Sequence, residues 1–174
     1  MKNQYYGIDI LIDKLTNSIE NTISGDSFKT DVLPVTANDL KRIKKKDWSF
    51  DWHKEWQDAK KQLFKLVIRD SLNIVQGLIS IEDRGDHIFM HLIESAKFNK
   101  GIKKLYVGVP GNLVAFACKI SFEKGYEGFI SFESKTKLIA HYKKSLGAFV
   151  IAGQLMGLDT SASLTLIHKY FPDN

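Results

Sequence analysis

Three extended-looking segments follow one another in the middle of the chain: QLFKLVIR, VQGLISIE and HIFMHLIES. The stretches that join them, DSLN and DRGD, are rich in residues that favour tight turns. Connections this short place consecutive strands side by side in opposite directions. The series therefore predicts an antiparallel β-meander and limits the chain to folds built around a sheet.

Downstream of the meander the pattern alternates between helix and strand. From Gly111 the apolar residues recur with helical period, Leu113, Ala117 and Ile120 share one stripe, and the helix is expected to end at Gly125. EGFISF and AFVIA predict two further strands, and SASLTLIHKYF predicts a final short helix. The order predicts an α/β fold.

Another helix is predicted between those two strands, over KTKLIAHYKKSL. Ser134 is its candidate N-cap, and Gly147 is placed as its C-terminal stop. Leu138, Tyr142 and Leu146 fall on one face at helical spacing. From the composition of that face alone, Tyr142 is read as a core tyrosine.

The N-terminal third predicts a hairpin followed by a short helix. TNSIENTISGDSFKTDVLPVT has two extended-looking arms around the turn formers Ser24-Gly25-Asp26. A helix is expected from Asn38, with Asn38 as its cap and Leu40 and Ile43 directed inward. The run KRIKKK would lie on the outer face, either solvated or in contact with an anionic partner.

Length and composition suit one domain with its own core, since the chain has 174 residues, 44% of them hydrophobic and 26% charged. The single cysteine, Cys118, cannot form an internal disulfide, which fits a reducing cytoplasm. No apolar run approaches the roughly 20 residues of a membrane span, so no membrane partner is expected. His87 and His91 would lie about 13 Å apart in a strand, and no metal site is predicted.

One turn combines two glycines and a proline ahead of the first long helix, in KLYVGVPGNLVAFACKI. Gly108 allows unusual backbone angles or a close approach, Pro110 suits a first helical turn, and Gly111 would admit a bulky ligand to the backbone. Free backbone N–H groups at such a turn favour phosphate. Many helices begin this way for local reasons, and the turn by itself does not choose between the two interpretations.

The segment YVGVPGNLVAFACKISFEKGYEGFISFESKTKLIAHYKKSLGAF resembles the GNAT superfamily of acyl-CoA-dependent N-acetyltransferases. Gly108-Val109-Pro110 occupies the position of that family's turn between a strand and a long helix. Tyr142, followed by Gly147-Ala148-Phe149, occupies the position of its tyrosine-bearing second helix. The resemblance covers residues 76–149 and implies a mixed, mostly antiparallel central sheet flanked by helices. It also divides the single domain 1–174 into a variable part, 1–60, and a CoA-binding and catalytic core, 61–174.

The same resemblance implies acetyl-CoA as co-substrate and an amine or peptide as acceptor. Two strands would splay apart, so that Ile93 and Ser95 hold the pantetheine arm. The pyrophosphate would lie on the turn, and Tyr142 would protonate the departing thiolate while Glu94 serves as a base. The residues expected at the turn are Gly108, Val109, Gly111 and Asn112.

Three tryptophans at four-residue spacing, in DWSFDWHKEW, have two interpretations. On a helix, Trp48, Trp52 and Trp56 would form a stripe, which is typical of core packing. In the resembled family this region borders the acceptor, and Asp51 or Glu55 would then attract a cationic amine.

Two other function classes stay open beside acyl transfer. Pro110 removes one backbone donor from the turn, which leaves room for a non-catalytic CoA-binding or sensing domain. The net charge of +5 also permits a basic nucleic-acid-associated protein centred on KRIKKK, the last choice of the three. A homodimer is left open.

Overall fold

The computed structural model describes residues 7–172, which form ten strands and five α-helices. The strands are β1 (Ile19–Asn21), β2 (Ser27–Phe28), β3 (Thr30–Pro34), β4 (Gln62–Ile68), β5 (Ser71–Asp83), β6 (Ile88–Ser95), β7 (Tyr106–Val107), β8 (Ile130–Glu133), β9 (Phe149–Ala152) and β10 (Leu155–Leu158). The helices are α1 (Ala37–Arg42), α2 (Trp52–Gln57), α3 (Val109–Glu123), α4 (Ile139–Leu146) and α5 (Thr160–Tyr170).

Seven strands form one sheet in the order β3-β4-β5-β6-β8-β10-β9. The predicted meander is confirmed, because β4, β5 and β6 pair antiparallel in sequence order. The β6–β8 pair is parallel, as the connection through α3 requires. The mixed, mostly antiparallel sheet flanked by helices is therefore confirmed.

The parallel pair opens toward the carboxyl ends of its two strands. Its register joins Ile88–Met90 to Ile130–Phe132, whereas β6 continues to Ser95 along β5. Beyond Met90 the two strands diverge, which leaves a groove between them. The expected splay is thus present at the centre of the sheet.

Each face of the sheet carries a separate apolar cluster. The larger cluster lies under α3, and Gly77 of β5 makes room for this helix, since an added Cβ there would lie 2.7 Å from Val109 Cγ1. The smaller cluster includes Trp52, Leu78 and Leu92. Because successive residues of β5 point to opposite faces, Leu78 belongs to one cluster and Ile79 to the other.

The N-terminal hairpin is confirmed, with Ile19 opposite Phe28 and Glu20 opposite Ser27. It joins β7 in a small second sheet, while the residues that follow it enter the large sheet as β3. Ile19 belongs to the larger apolar cluster. The predicted boundary at residue 60 stays a prediction.

Two predicted caps are wrong. Thr36, not Asn38, caps α1, through a capping box in which Thr36 and Asp39 bond each other's backbone N–H groups. Ser134 does not cap α4, because a 3₁₀ turn at Thr136–Leu138 comes between them. Asn38 lies inside α1, and no side chain caps the N-terminus of α4.

Other predicted boundaries shift by a few residues. The helix after the glycine turn starts at Val109 rather than Gly111, because Gly108 is its N-cap with φ of 94°. Gly147 ends α4 with φ of 70°, as predicted. The prediction that one helix carries all three tryptophans is wrong, since α2 begins at Trp52 and Trp48 precedes it. Of the helices in the described residues, none has the length and apolarity that a membrane crossing needs.

Candidate active site

The groove between β6 and β8 is filled in part by residues 8–16, a segment named here the N-terminal strap. The backbone N–H of Ile8 donates to the carbonyl of Glu133 at 2.7 Å, and Ile8 forms a parallel bridge with Ser134. A cleft of about 330 Å³ separates the middle of the strap from Ser95 of β6 and Pro110 of α3. The strap therefore lies between the two splayed strands.

Helix α4 holds the middle of the strap through two side chains. The hydroxyl of Tyr142 donates to the carbonyl of Ile10 at 2.5 Å. From the preceding residue, Nε2 of His141 accepts the backbone N–H of Ile12 at 2.8 Å. Ile8 and Ile12 are buried, whereas Leu11 is 60% exposed, so alternate strap residues face the core and the solvent.

The strap reaches the N-terminus of α3 at Asp13. One carboxylate oxygen of Asp13 accepts the backbone N–H of Gly108 at 3.1 Å. The other oxygen forms an ion pair with Nζ of Lys104, also at 3.1 Å. A carboxylate is thus bound by an oriented backbone donor and a lysine, and both donors favour an anion at this helix N-terminus.

Several solved structures have a similar overall architecture. One match is spermidine N-acetyltransferase from Vibrio cholerae with CoA and spermine, at 14% identity and a TM-score of 0.50, covering 78% of this chain and 98% of that one. A second is AtaTR bound with AcCoA, at 12% identity and 0.52, covering 80% and 98%. A third is the KacTA–DNA complex, at 13% and 0.51, covering 84% and 100%.

The chain has the GNAT N-acetyltransferase fold. No family model and no curated protein matches the sequence. The GNAT resemblance of the glycine turn and of the tyrosine-bearing helix is confirmed at the level of the fold.

Among the residues predicted at the turn of this GNAT fold, Gly108 has its N–H directed at an anion, the Asp13 carboxylate. Asn112 uses its backbone N–H within the helix, at 3.0 Å from the carbonyl of Gly108, and its side-chain amide donates to Thr30 at 2.8 Å. Val109 is buried at 1% exposure against Gly77. In this conformation the turn presents one anion-directed donor at Gly108.

Gly111 does not open the turn to a ligand here. A Cβ at this position would lie 2.3 Å from the hydroxyl of Tyr170 and 2.9 Å from Leu15 Cδ2. The same hydroxyl accepts the backbone N–H of Thr16 at 3.2 Å. The room that Gly111 provides is therefore taken up by α5 and by the end of the strap, which corrects the expected reason for this glycine.

The two β6 residues predicted to hold a pantetheine arm are both buried. Ile93 belongs to the larger apolar cluster, and Ser95 lines the cleft beside the strap. Ser95 is the last residue of β6, where the groove is open. Their part in cofactor binding stays a prediction.

Tyr142 is fully buried and lies at the wall of the groove. Its ring packs edge-on against Phe132 of β8, with 5.4 Å between the centroids. Burial raises the pKa of the Tyr142 phenol well above its ordinary value, although its hydrogen bond to Ile10 lowers it in part. The hydroxyl therefore keeps its proton at neutral pH and can act as a donor.

Glu94 is placed differently from a base that is open to substrate. It is 2% exposed, and Oε1 accepts from Ser49 N at 2.5 Å and Lys100 Nζ at 2.7 Å. Oε2 accepts from Phe50 N at 3.2 Å and Trp52 Nε1 at 2.8 Å. Four donors match the roughly four acceptor sites of a carboxylate, so in this conformation Glu94 anchors the segment before α2 to β6.

The tryptophan segment combines packing with a surface cleft. Trp52 is buried at 1% exposure, and Trp48 lines a cleft of about 340 Å³ between α1 and the end of β6. Asp51 caps α2 and pairs with Lys45 at 3.1 Å. Glu55 is buried and pairs with Lys61 at 2.9 Å. Both acidic side chains thus have internal partners, and the core interpretation is correct for Trp52.

Within residues 7–172, no three His, Cys, Asp or Glu side chains cluster closely enough to hold a metal ion. His87 pairs with Asp86, and Nε2 of His91 lies 2.7 Å from Glu82. Burial lowers the pKa of His91, so its ring is neutral at pH 7. Both histidines have carboxylate partners within the chain.

The basic run is divided rather than continuous. Its first residues end α1 at Arg42, and Lys45 and Lys46 belong to a separate 3₁₀ turn. Arg42 donates to the side chain of Asn73 at 3.3 Å. The predicted single helix face is therefore wrong, since the helix ends inside the run.

The strap, Asp13 and Lys104 were not predicted from the sequence. Two signals were available: the alternation of Ile8, Ile10 and Ile12 in GIDILID, which is typical of an extended segment, and a lysine close before the glycine turn. Neither signal states which groove an extended segment enters. The structure contains a single chain, so the homodimer stays a prediction.

Proposed function

We propose that this chain transfers an acyl group, acetyl in the first instance, from acyl-CoA to an amine. The observation that carries the proposal is the Tyr142 hydroxyl, which is directed into the groove between β6 and β8 and donates there to the carbonyl of Ile10. In a GNAT fold this groove connects the N-terminus of α3 with the side chains of α4. A proton donor at that place suits a thiolate leaving group.

The residues present fit the phosphate end of such a co-substrate. Gly108 N–H and Lys104 Nζ already hold one carboxylate, at 3.1 Å each. A phosphate offers the same negative charge with more acceptor oxygens. When bound, the co-substrate supplies an activated thioester; Gly108 and Lys104 would fix its anionic end and Tyr142 would donate a proton at its sulfur.

Only the chemical class of the acceptor, an amine, is proposed. The neighbours include proteins named spermidine N-acetyltransferase, one of them solved with spermine, which makes polyamines the first compounds to assay. Primary amines of amino acids and peptides come next. The base that takes the amine proton stays open between Glu94 and water, and the four donors around Glu94 favour water.

A second candidate is a non-catalytic domain of the same fold. The specific observation that favours it is the strap, which bonds both Gly108 and Tyr142, the two residues that the reaction needs. In that case the strap would fill the groove permanently, as a part of the folded core. Acyl-CoA would then neither bind nor be consumed.

The experiment that separates the two candidates follows free thiol release from acetyl-CoA over a panel of amines. Acyl transfer predicts amine-dependent thiol release with at least one acceptor, together with a mass increase of that acceptor. A non-catalytic domain predicts no release with polyamines, amino acids or peptides. Binding of acetyl-CoA, measured by calorimetry in the same preparation, separates an idle enzyme from a chain that does not bind it.

A further inference from the structure

The strap meets the two ends of the groove with two different chemical groups. At the α3 end, the negative charge of Asp13 lies on Gly108 N–H and Lys104. At the α4 end, the neutral carbonyl of Ile10 accepts the hydroxyl of Tyr142. In the proposed reaction an acyl-CoA molecule would present an anion to Gly108 and Lys104 and its sulfur to Tyr142, so it would use the same donors as the strap.

The same donors cannot serve the strap and a ligand together. Gly108 has one backbone N–H and Tyr142 has one hydroxyl proton, and each is already donated to the strap. Binding of acyl-CoA in this groove and binding of the strap are therefore mutually exclusive. The two compete at both ends.

The strap is not a strand of the sheet, although Ile8 and Ile12 are buried in the larger apolar cluster. It forms a single bridge at Ile8, and residues 9–16 have no regular secondary structure. The ion pair at its α3 end is partly accessible to water, since the side chains of Lys104 and Asp13 are 25% and 12% exposed. The cleft beside the strap gives a ligand an approach to the same residues.

We propose that the N-terminal strap is a displaceable plug of the acyl-CoA groove, in which Asp13 stands in for the pyrophosphate until acyl-CoA expels it. This inference rests on the proposed function and adds its regulation. A plug lowers the apparent affinity for acyl-CoA by the fraction of molecules in which the groove is open. Anything that loosens the strap then activates the chain, and anything that fixes it closes the groove.

Asp13→Ala is the first test. It removes the carboxylate from Gly108 and Lys104 and leaves both donors in place for phosphate. We expect acetyl-CoA to bind on the order of tenfold more tightly, because a charge-assisted hydrogen bond of the plugged state is lost. Asp26→Ala, an exposed carboxylate on the hairpin turn, is the matched control and should change nothing. Equal affinity of Asp13→Ala and wild type contradicts the plug.

A disulfide across the bridge is the second test and leaves Asp13 intact. Ile8 and Ser134 pair as a parallel bridge, and neighbouring strands lie about 4.8 Å apart, within reach of a disulfide. We expect Ile8→Cys/Ser134→Cys to lose acetyl-CoA binding by about 100-fold or more when oxidised and to regain it in dithiothreitol. Each single substitution is a control that should not respond to the reductant. The native Cys118 does not interfere, since it is fully buried.

The outcomes distinguish the plug from the function on which it rests. Equal binding by the oxidised and reduced forms overturns the plug and leaves acyl transfer standing. Failure of every form to bind acetyl-CoA, with Asp13→Ala and the reduced double variant included, overturns acyl transfer and the plug together. Binding that follows the redox state supports both.

Discussion

The hydroxyl of Tyr142 donates a 2.5 Å hydrogen bond to the backbone carbonyl of Ile10, which lies 132 residues earlier in the chain. This bond joins the candidate proton donor of α4 to the middle of the strap. It gives Tyr142 one role in the plugged state and a different one in the reaction that we propose. Stability, affinity and turnover, measured independently, separate the two roles.

Tyr142→Phe keeps the ring against Phe132 and removes the hydroxyl. We expect acyl transfer to slow by roughly 10² to 10⁴, the usual contribution of a general acid. Affinity for acetyl-CoA should not fall, because the same substitution loosens the strap. The measurements are kcat from thiol release and Kd from calorimetry. A kcat equal to that of wild type would remove Tyr142 from the mechanism.

Gly108→Ala should destabilise the free protein. The residue has φ of 94°, and an added Cβ would lie 2.2 Å from Thr16 Oγ1 and 2.9 Å from the carbonyl of Ser18. Gly25→Ala is the matched control, because Gly25 has φ of 75° with nothing within 4 Å. We expect both variants to lose about 1 kcal/mol from the backbone and Gly108→Ala to lose more from the clash, as urea unfolding would show. Equal losses of unfolding free energy in the two variants would mean that Thr16 and Ser18 move away from the added methyl group without an energetic cost.

Glu94→Gln separates an anchor from a base. The amide replaces a carboxylate that accepts from three N–H groups and Lys100, so we expect a loss of about 3 kcal/mol in the free energy of unfolding. Glu123→Gln, on the exposed end of α3, should change stability by less than about 0.5 kcal/mol. A variant of unchanged stability whose kcat falls by 10² or more would instead identify Glu94 as the base.

Cys118 should make the fold sensitive to alkali. Burial raises the pKa of its thiol from 9.0 to about 12. Between these values the unfolded chain loses this proton while the native chain keeps it, so stability is complete below pH 9 and falls as the pH rises toward 12. The expected slope is about 1.4 kcal/mol per pH unit.

Cys118→Ala should remove that share of the slope, which unfolding curves at pH 8 to 10.5 would show as converging stabilities of variant and wild type. Parallel curves would contradict the buried thiol. Tyr142 and Tyr170 add to the loss above about pH 10 in both proteins, since burial raises both phenol pKa values.

Thr36→Ala tests the observed cap of α1. The side chain accepts the N–H of Asp39 at 3.1 Å, and its loss should cost about 1 kcal/mol. Asn38→Ala, at the residue that the sequence pattern favoured as the cap, should be neutral within about 0.5 kcal/mol. The reverse order in chemical denaturation would place the cap at Asn38.

Local pattern was sufficient for much of the sheet and for α3. Turn-rich joints of four residues, DSLN and DRGD, leave little choice but antiparallel pairing, and the helical stripe after Gly108 has no strand-like alternative. Predictions failed where several neighbours competed for one function. Thr36 and Asn38 can both cap a helix, and the local capping box between Thr36 and Asp39 selects Thr36.

The sequence indicated only part of the candidate site. Tyr142 and the Gly108 turn were identified because GNAT-like motifs are local in sequence. The role of Glu94 depends on four donors from two separate segments, and the role of Gly111 depends on Tyr170 at the far end of the chain. No spacing rule contains such contacts, because each is set by the way distant elements pack.

The sequence by itself determined the β4–β6 meander, the helices α3 to α5 and the turn at Gly108, since hydrophobic period and turn chemistry act between near neighbours. The tertiary structure alone decided what lies in the groove between β6 and β8. Residues 8–16 are extended in either case, and the sequence does not say whether they cover the surface or enter the splay. They enter it because burial of Ile8 and Ile12, the bond from Gly108 to Asp13 and the bond from Tyr142 to Ile10 act together, and these partners meet only once the sheet has formed.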